Sequence, residues 1–245
     1  MNPSLNQNDS ANKAAGTARY AQLFQGSEAV ARYQRKLSNR IDILRDKIER
    51  DILASRLKGN VFDCTIGVGR FIGKLPNVTA YDGMDLSSEF VEYVRQLHPS
   101  GKLFTADLSQ PIPLSTGSYD NVLCLRSLSG IGRLATILPE MLRITRSGGL
   151  LIFDYGRKRT ISHVKGEMTV LDGDDLEGVI KTLDAKEIER IRVDAALTRA
   201  KIHARLFRFL TGSRGHVVSD KLLLQAERVT APMFWQRQII ILRRN

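Results

Sequence analysis

The sequence predicts a doubly wound α/β fold, a mostly parallel sheet with helices on both faces. Two observations predict it. Short apolar runs alternate with helically periodic segments about every 15 to 30 residues between Lys58 and Asp154, as βαβ units do. Carboxylates also close several of those runs, and open α/β sheets collect their ligands at the carboxyl ends of the strands.

Taken in order, residues 1–16 are rich in Asn, Ser and Ala without apolar periodicity and read as a disordered tail. Residues 17–57 form an N-terminal helical segment. Leu37, Ile41, Leu44, Ile48 and Ile52 make one stripe of an amphipathic helix, preceded by Tyr20, Phe24 and Tyr33 as packing residues. After Lys58-Gly59-Asn60 the period changes. Strands are expected at Val61 to Cys64, Val78 to Tyr81 leading into Gly83-Met84-Asp85, Phe104 to Ala106, Asp120 to Leu125, and Leu150 to Asp154. Helices are expected behind a Ser87 N-cap and from Leu134 to Leu142. Leu176 to Val193 reads as helical, 195–210 as a basic helix, and Arg237 to Leu242 as the last strand. The main domain is thus 58–245, with a helical insertion at about 172–230.

At 245 residues, with 42% hydrophobic and 26% charged residues, the chain has the material for one sizeable domain, which excludes disorder of the whole. Cys64 and Cys124 lack the spacing of a metal site or disulfide scaffold, so reduced thiols and no metal are expected. No run is apolar enough to span a bilayer or serve as a signal peptide, and a cytoplasmic protein is the expectation. The net charge of +11 is uneven: residues 1–60 carry 11 basic against 6 acidic side chains, 61–154 carry 8 against 9, and 155–245 carry 18 against 11. Basic flanks around a neutral centre suit a solvated surface, an anionic partner or a lipid headgroup layer.

The candidate site begins at Asp63, which closes the first strand, with Gly67 and Gly69 behind it allowing a tight turn and close approach to a ligand. Asp85, 22 residues on, closes the second strand, where a carboxylate accepts the hydroxyl hydrogens of a ribose. Asp107 stands at the end of the third, within reach of an adenine amino group. Three acids at three successive strand ends make a nucleoside cradle.

On these residues the segment from about Lys58 to Arg157 resembles the core of the class I S-adenosylmethionine (SAM)-dependent methyltransferases. Asp63-Cys64-Thr65-Ile66-Gly67-Val68-Gly69 is similar to their first motif, with Thr65 where the family has a glycine. Gly83-Met84-Asp85-Leu86-Ser87, Ala106-Asp107-Leu108, Leu114 to Val122 and Met141 to Leu150 follow in the family's order. The resemblance implies a Rossmann-like, seven-stranded sheet with N-terminal helices and a helical C-terminal insertion. It also implies SAM as cofactor, held by Asp63, Thr65, Gly67, Gly69, Asp85, Leu86, Asp107, Leu108 and Cys124. Thr65 is β-branched, so its position must keep an ordinary backbone conformation or be strained. A dehydrogenase is disfavoured, because its loop reads Gly-x-Gly-x-x-Gly.

The acceptor is read from less. Arg126 and Ser127 follow the fourth strand, where the family places substrate contacts, and an arginine there suits a carboxylate or phosphate. His163, after the fifth strand, is the candidate general base. Cys124-Leu125-Arg126-Ser127 lacks the Pro-Pro motif of enzymes that methylate base amines, and neither cysteine adjoins a proline. A small-molecule or lipid-linked acceptor is therefore expected, with peripheral membrane contact through the basic helix 195–210. An RNA methyltransferase and a non-catalytic SAM- or nucleotide-binding scaffold are the alternatives.

Overall fold

Val61 and Phe62 point to opposite faces of the first strand, and that alternation organises the molecule. The computed structural model describes residues 25–131, 133–156, 173–197, 200, 219–234 and 236–245. Strands β1 (Gly59–Asp63), β2 (Val78–Asp85), β3 (Leu103–Thr105), β4 (Tyr119–Cys124) and β5 (Thr145–Gly156) run parallel, while β7 (Arg237–Arg244) lies antiparallel between β5 and β6 (Ala185–Val193). The order is β3-β2-β1-β4-β5-β7-β6, so the chain reverses direction across the sheet between β1 and β4. At that switch point the carboxyl ends of the strands open a crevice.

Where the strands are buried on both faces they carry consecutive apolar residues, as at Val61-Phe62 and Val122-Leu123-Cys124. Phe62, Val122, Leu151, Phe153, Ile240 and Leu242 pack on one face against Ile137, Leu138 and Met141 of α5 (Leu134–Ile144). Val61, Leu123, Ile152, Ile239 and Ile241 pack on the other against Leu53 of α2 (Arg40–Ala54) and Val91 and Val94 of α3 (Ser88–Leu97). Full burial of such a side chain contributes about 1.5–3 kcal/mol, so this two-sided core is the main source of stability. Ser87 caps α3 as expected, its Oγ accepting from the Phe90 N–H at 3.3 Å.

Helix α1 (Ala29–Leu37) precedes α2, and α7 (Asp220–Phe234) packs against α2. A third apolar cluster of Leu44, Leu197 and Leu223 joins α2 to α7. Helix α1 is fastened to α3 by Gln34 Nε2 donating to the Tyr93 hydroxyl at 2.6 Å, and by the Gly26 N–H donating to Glu89 at 2.8 Å.

The expectation of helix from Leu176 to Val193 is corrected. Helix stops at Thr182 (α6, Gly173–Thr182), and Ala185–Val193 is the edge strand β6, so the 172–230 stretch is not helical throughout. The Lys, Glu and Arg of this strand are good helix formers, but pairing with β7, buried from Gln238 to Leu242, overrides propensity, and the same charges protect an exposed sheet edge from further pairing. The expected tail 1–16, Tyr20, Phe24 and His163 lie outside the described residues, as does most of the basic helix 195–210.

Candidate cofactor and acceptor site

Asp63 ends β1 with a buried carboxylate that accepts from the Tyr81 hydroxyl at 2.9 Å and from the Thr65 N–H at 3.1 Å. Burial pushes its pKa up, and these two donors offset only part of that. Behind it the chain turns through Gly67 (φ 53°) and Gly69 (φ 68°), both in the left-handed region that favours glycine. Thr65 is not among the positive-φ residues, so its departure from the glycine pattern carries no strain of that kind. Its Oγ1 lies 3.7 Å from Cys124 Sγ. At Gly83 a Cβ would come within 2.7 Å of the Asp63 carbonyl oxygen, which is why β2 carries glycine where it crosses the loop.

Asp85 accepts from the Gly67 N–H at 2.9 Å and from the Ser87 N–H at 3.0 Å, so one carboxylate joins the glycine loop to the cap of α3. Burial raises its pKa to about 6 despite the N–H groups of Ser87 and Gly67. Asp107 is exposed beyond β3, with one oxygen accepting from the Ser109 N–H at 2.8 Å. Strands lie about 4.8 Å apart, so the acids of β1, β2 and β3 span roughly 10 Å along one edge. Leu86 is exposed beside Asp85, whereas Leu108 and Cys124 turn their side chains into the core and leave only backbone for a ligand.

Tyr33 covers this loop from above. Its ring edge lies 3.8 Å from where a Gly67 Cβ would be, and its centroid is 5.6 Å from that of Phe90. Packing is thus half its role, and the other half is to roof the crevice.

Residues 62–153 match a family model described as "Methyltransferase domain". Over that segment the chain resembles SAM-dependent methyltransferase domains, and its sheet has their fold. It is 26% identical over 145 residues to a fatty-acid O-methyltransferase of Mycolicibacterium smegmatis, covering 54% of this chain and 53% of that protein. It is 29% identical over 119 residues to a malonyl-[acyl-carrier protein] O-methyltransferase of Pectobacterium atrosepticum, covering 46% and 45%. The chain therefore spans about half the length of the curated relatives it matches. Among solved structures, magnesium protoporphyrin IX methyltransferase from Synechocystis with bound SAM superimposes with a TM-score of 0.59 at 15% identity, covering 94% of this chain and 97% of that one.

SAM is the cofactor of this domain, and the cradle fits it. Asp85 keeps carboxylate lone pairs beyond those used by backbone N–H groups, and Gly67 leaves the crevice free of a side chain. Ribose hydroxyls favour the ionised form of Asp85, so binding lowers its pKa and releases a proton. SAM affinity is accordingly expected to fall as pH drops below about 6, by up to about tenfold per unit, and to lose this dependence in Asp85→Asn. Calorimetric titration at pH 5 to 8 checks it. Thr65→Gly has no strain to relieve: stability should drop by about 1 kcal/mol from added chain entropy, with SAM affinity changed less than about twofold.

Toward β5 and β7 the edge of the methyltransferase domain holds a buried ionic cluster. Glu49 of α2, 0% exposed, accepts from Arg70 Nη1 at 2.7 Å, Arg126 Nε at 2.9 Å and Arg237 Nη2. Burial alone would raise the Glu49 pKa, but the guanidinium groups of Arg126, Arg237 and Arg70 outweigh it and hold the carboxyl well below the usual range. Arg237 also pairs with Asp154 and, at 2.9 Å, with Asp194, which in turn accepts from Arg45 Nε at 2.8 Å. Asp46 Oδ1 lies 2.7 Å from both Arg70 Nη1 and Arg126 Nη2.

Of the acceptor residues expected from sequence, Arg126 stands in this cluster, in a left-handed conformation (φ 66°) with its N–H donating to Asp154 at 2.8 Å. Ser127 Oγ makes only a long 3.5 Å bond to the Leu125 carbonyl. Sequence reasoning missed Glu49, Arg70, Arg237, Asp154 and Asp194. One signal was available: Asp42, Arg45, Asp46 and Glu49 recur at helical spacing, forming a charged stripe beside the apolar one. Nothing in the sequence tied it to Arg237, 188 residues away.

Proposed function

We propose that this chain is a SAM-dependent methyltransferase whose acceptor is a small-molecule or lipid-linked acid, methylated on a carboxylate oxygen. The observation that carries the reading is the placement of Arg126 and Arg70 at the carboxyl edge, beside the cofactor loop and on the side away from the nucleoside cradle. Guanidinium forks at such a place suit a carboxylate. The names of the two curated relatives, which act on a fatty acid and on a malonyl carrier protein, support it.

When bound, SAM would supply a sulfonium methyl group for in-line transfer to the carboxylate oxygen, the sulfur leaving with the electron pair of the broken C–S bond. The chain's own work is alignment and exclusion of water: Asp63 and Asp85 fix the nucleoside end, Tyr33 roofs the loop, and the arginines orient the acid. A carboxylic acid is already ionised near neutral pH, so no general base is needed. His163 enters as a base only if the nucleophile is a hydroxyl.

We further propose that the helical segment from residue 25 to 57 covers the site through Tyr33 and that the basic segment 195–210 makes its contact with a lipid surface. The test is transfer of label from methyl-labelled SAM to a panel of fatty acids, malonyl carrier protein and RNA. Base-labile label in an acid is the expected result. Label in RNA alone, or in none of them, overturns the reading.

A further inference from the structure

One buried donor stands out. Among the described residues, Arg126 Nη2 is the buried side-chain nitrogen or oxygen that lacks a hydrogen-bond acceptor. Asp46 Oδ1 is 2.7 Å from it, an ion pair at hydrogen-bond distance whose angle falls short of a hydrogen bond. Leaving a buried charged donor unmade is costly, and the cost calls for an acceptor that arrives from elsewhere. Arg126 is also held at a positive φ, which non-glycine residues rarely adopt without a local reason.

Asp46 differs from its neighbours in the cluster. Glu49 and Asp154 are 0% and 1% exposed, whereas the Asp46 side chain is 28% exposed. It lines an open groove of about 480 Å³ between α1, the glycine loop and α3, together with Arg70, Leu37, Val68, Ile72 and Leu97. The cluster is therefore reachable from solvent at Asp46, without displacing the buried Glu49.

We propose that Asp46 is a placeholder, and that the acceptor's carboxylate displaces it to bind Arg126 Nη2 and Arg70 Nη1. This rests on the carboxylate reading above. The exchange swaps one carboxylate for another. With acids at positions 42, 46, 49, 154 and 194 around arginines 45, 70, 126 and 237, an added anion without it would meet repulsion. Asp46 can rotate into water, while Glu49 and Asp154 hold Arg126 in place. The carboxylate so held lies beside the glycine loop, whose Gly69 and Arg70 line the same groove as Asp46.

The test uses the whole protein loaded with S-adenosylhomocysteine, dodecanoate as the probe, and calorimetry for both ligands. Asp46→Asn keeps the shape but removes the competing charge, and should tighten dodecanoate binding several-fold. Arg126→Lys keeps the positive charge but removes the fork, and should weaken it at least tenfold, with SAM affinity unchanged. Opposite signs are the signature, since a merely structural role would weaken both variants; thermal unfolding of each checks that they are folded at the titration temperature. Unchanged or equally weakened dodecanoate binding in the two variants overturns the proposal. So does a loss of SAM affinity in Arg126→Lys, which would give the site to the cofactor's own carboxylate. If wild-type protein transfers label to dodecanoate but the variants fail this pattern, only the placeholder falls. If no acid takes label, the reading beneath it falls as well.

Discussion

Glu49→Ala should lower the unfolding free energy by about 3–5 kcal/mol, the usual cost of removing one partner from a buried ion pair. The reason is what stays behind. Arg126, Arg70 and Arg237 would keep three guanidinium groups at the sheet edge with their shared carboxylate gone. Deprotonation gives an arginine no escape, because its guanidinium stays protonated throughout the pH range in which a protein is folded. Glu49→Gln keeps the shape and should cost less, while Glu49→Leu should resemble alanine because the arginines remain uncompensated. The pH dependence has a definite sign. Glu49 has a depressed pKa when folded, so its contribution is fully present above the ordinary glutamate value of about 4.3 and is lost as pH falls toward the folded value. Part of the wild-type loss of stability below pH 4 should be absent in Glu49→Gln. Urea unfolding of wild type and the three variants between pH 3 and 7 measures both effects, and a Glu49→Ala protein as stable as wild type would show that the cluster does not hold α2 to the sheet.

Asp85→Ala should weaken SAM binding by about 100-fold, since a hydrogen bond to a charged group contributes about 1.5–3 kcal/mol and tenfold in affinity is 1.4 kcal/mol. Part of that loss is indirect. Asp85 also holds the Gly67 N–H, so the glycine loop loses its tie to the cap of α3. Asp85→Asn separates the two effects: its amide oxygen can still accept from one N–H, and affinity should fall by only about tenfold. Stability of the free protein should move the other way. Burial disfavours the Asp85 carboxylate above about pH 6, so at pH 7.5 the asparagine variant should be at least as stable as wild type. Normal SAM affinity in Asp85→Ala would show the nucleoside cradle to be misassigned.

The strands and the cradle were legible because their determinants are local. A short strand-like segment that ends in Asp63 or Asp85 and is followed by turn residues needs no distant partner to be recognised. The same locality misled at Ala185–Val193. Helix propensity there is a property of the segment, whereas strand formation depends on β7, some 50 residues later. Tyr33 read as a packing residue for a related reason, since the glycine loop it roofs is far from it in sequence.

By itself, then, the sequence determined the alternation of strand and helix, the acids at the ends of β1, β2 and β3, and through them the cofactor. Only the tertiary structure decided the acceptor side. Asp46 and Glu49 from α2, Arg70 from the glycine loop, Arg126 beyond β4, Asp154 from β5 and Arg237 from β7 meet because the parallel strands deliver their carboxyl ends, and antiparallel β7 its amino end, to one edge. A lone charged residue in a sequence reads as solvated surface. It acquires a role when folding takes it out of water, where its charge must find a partner.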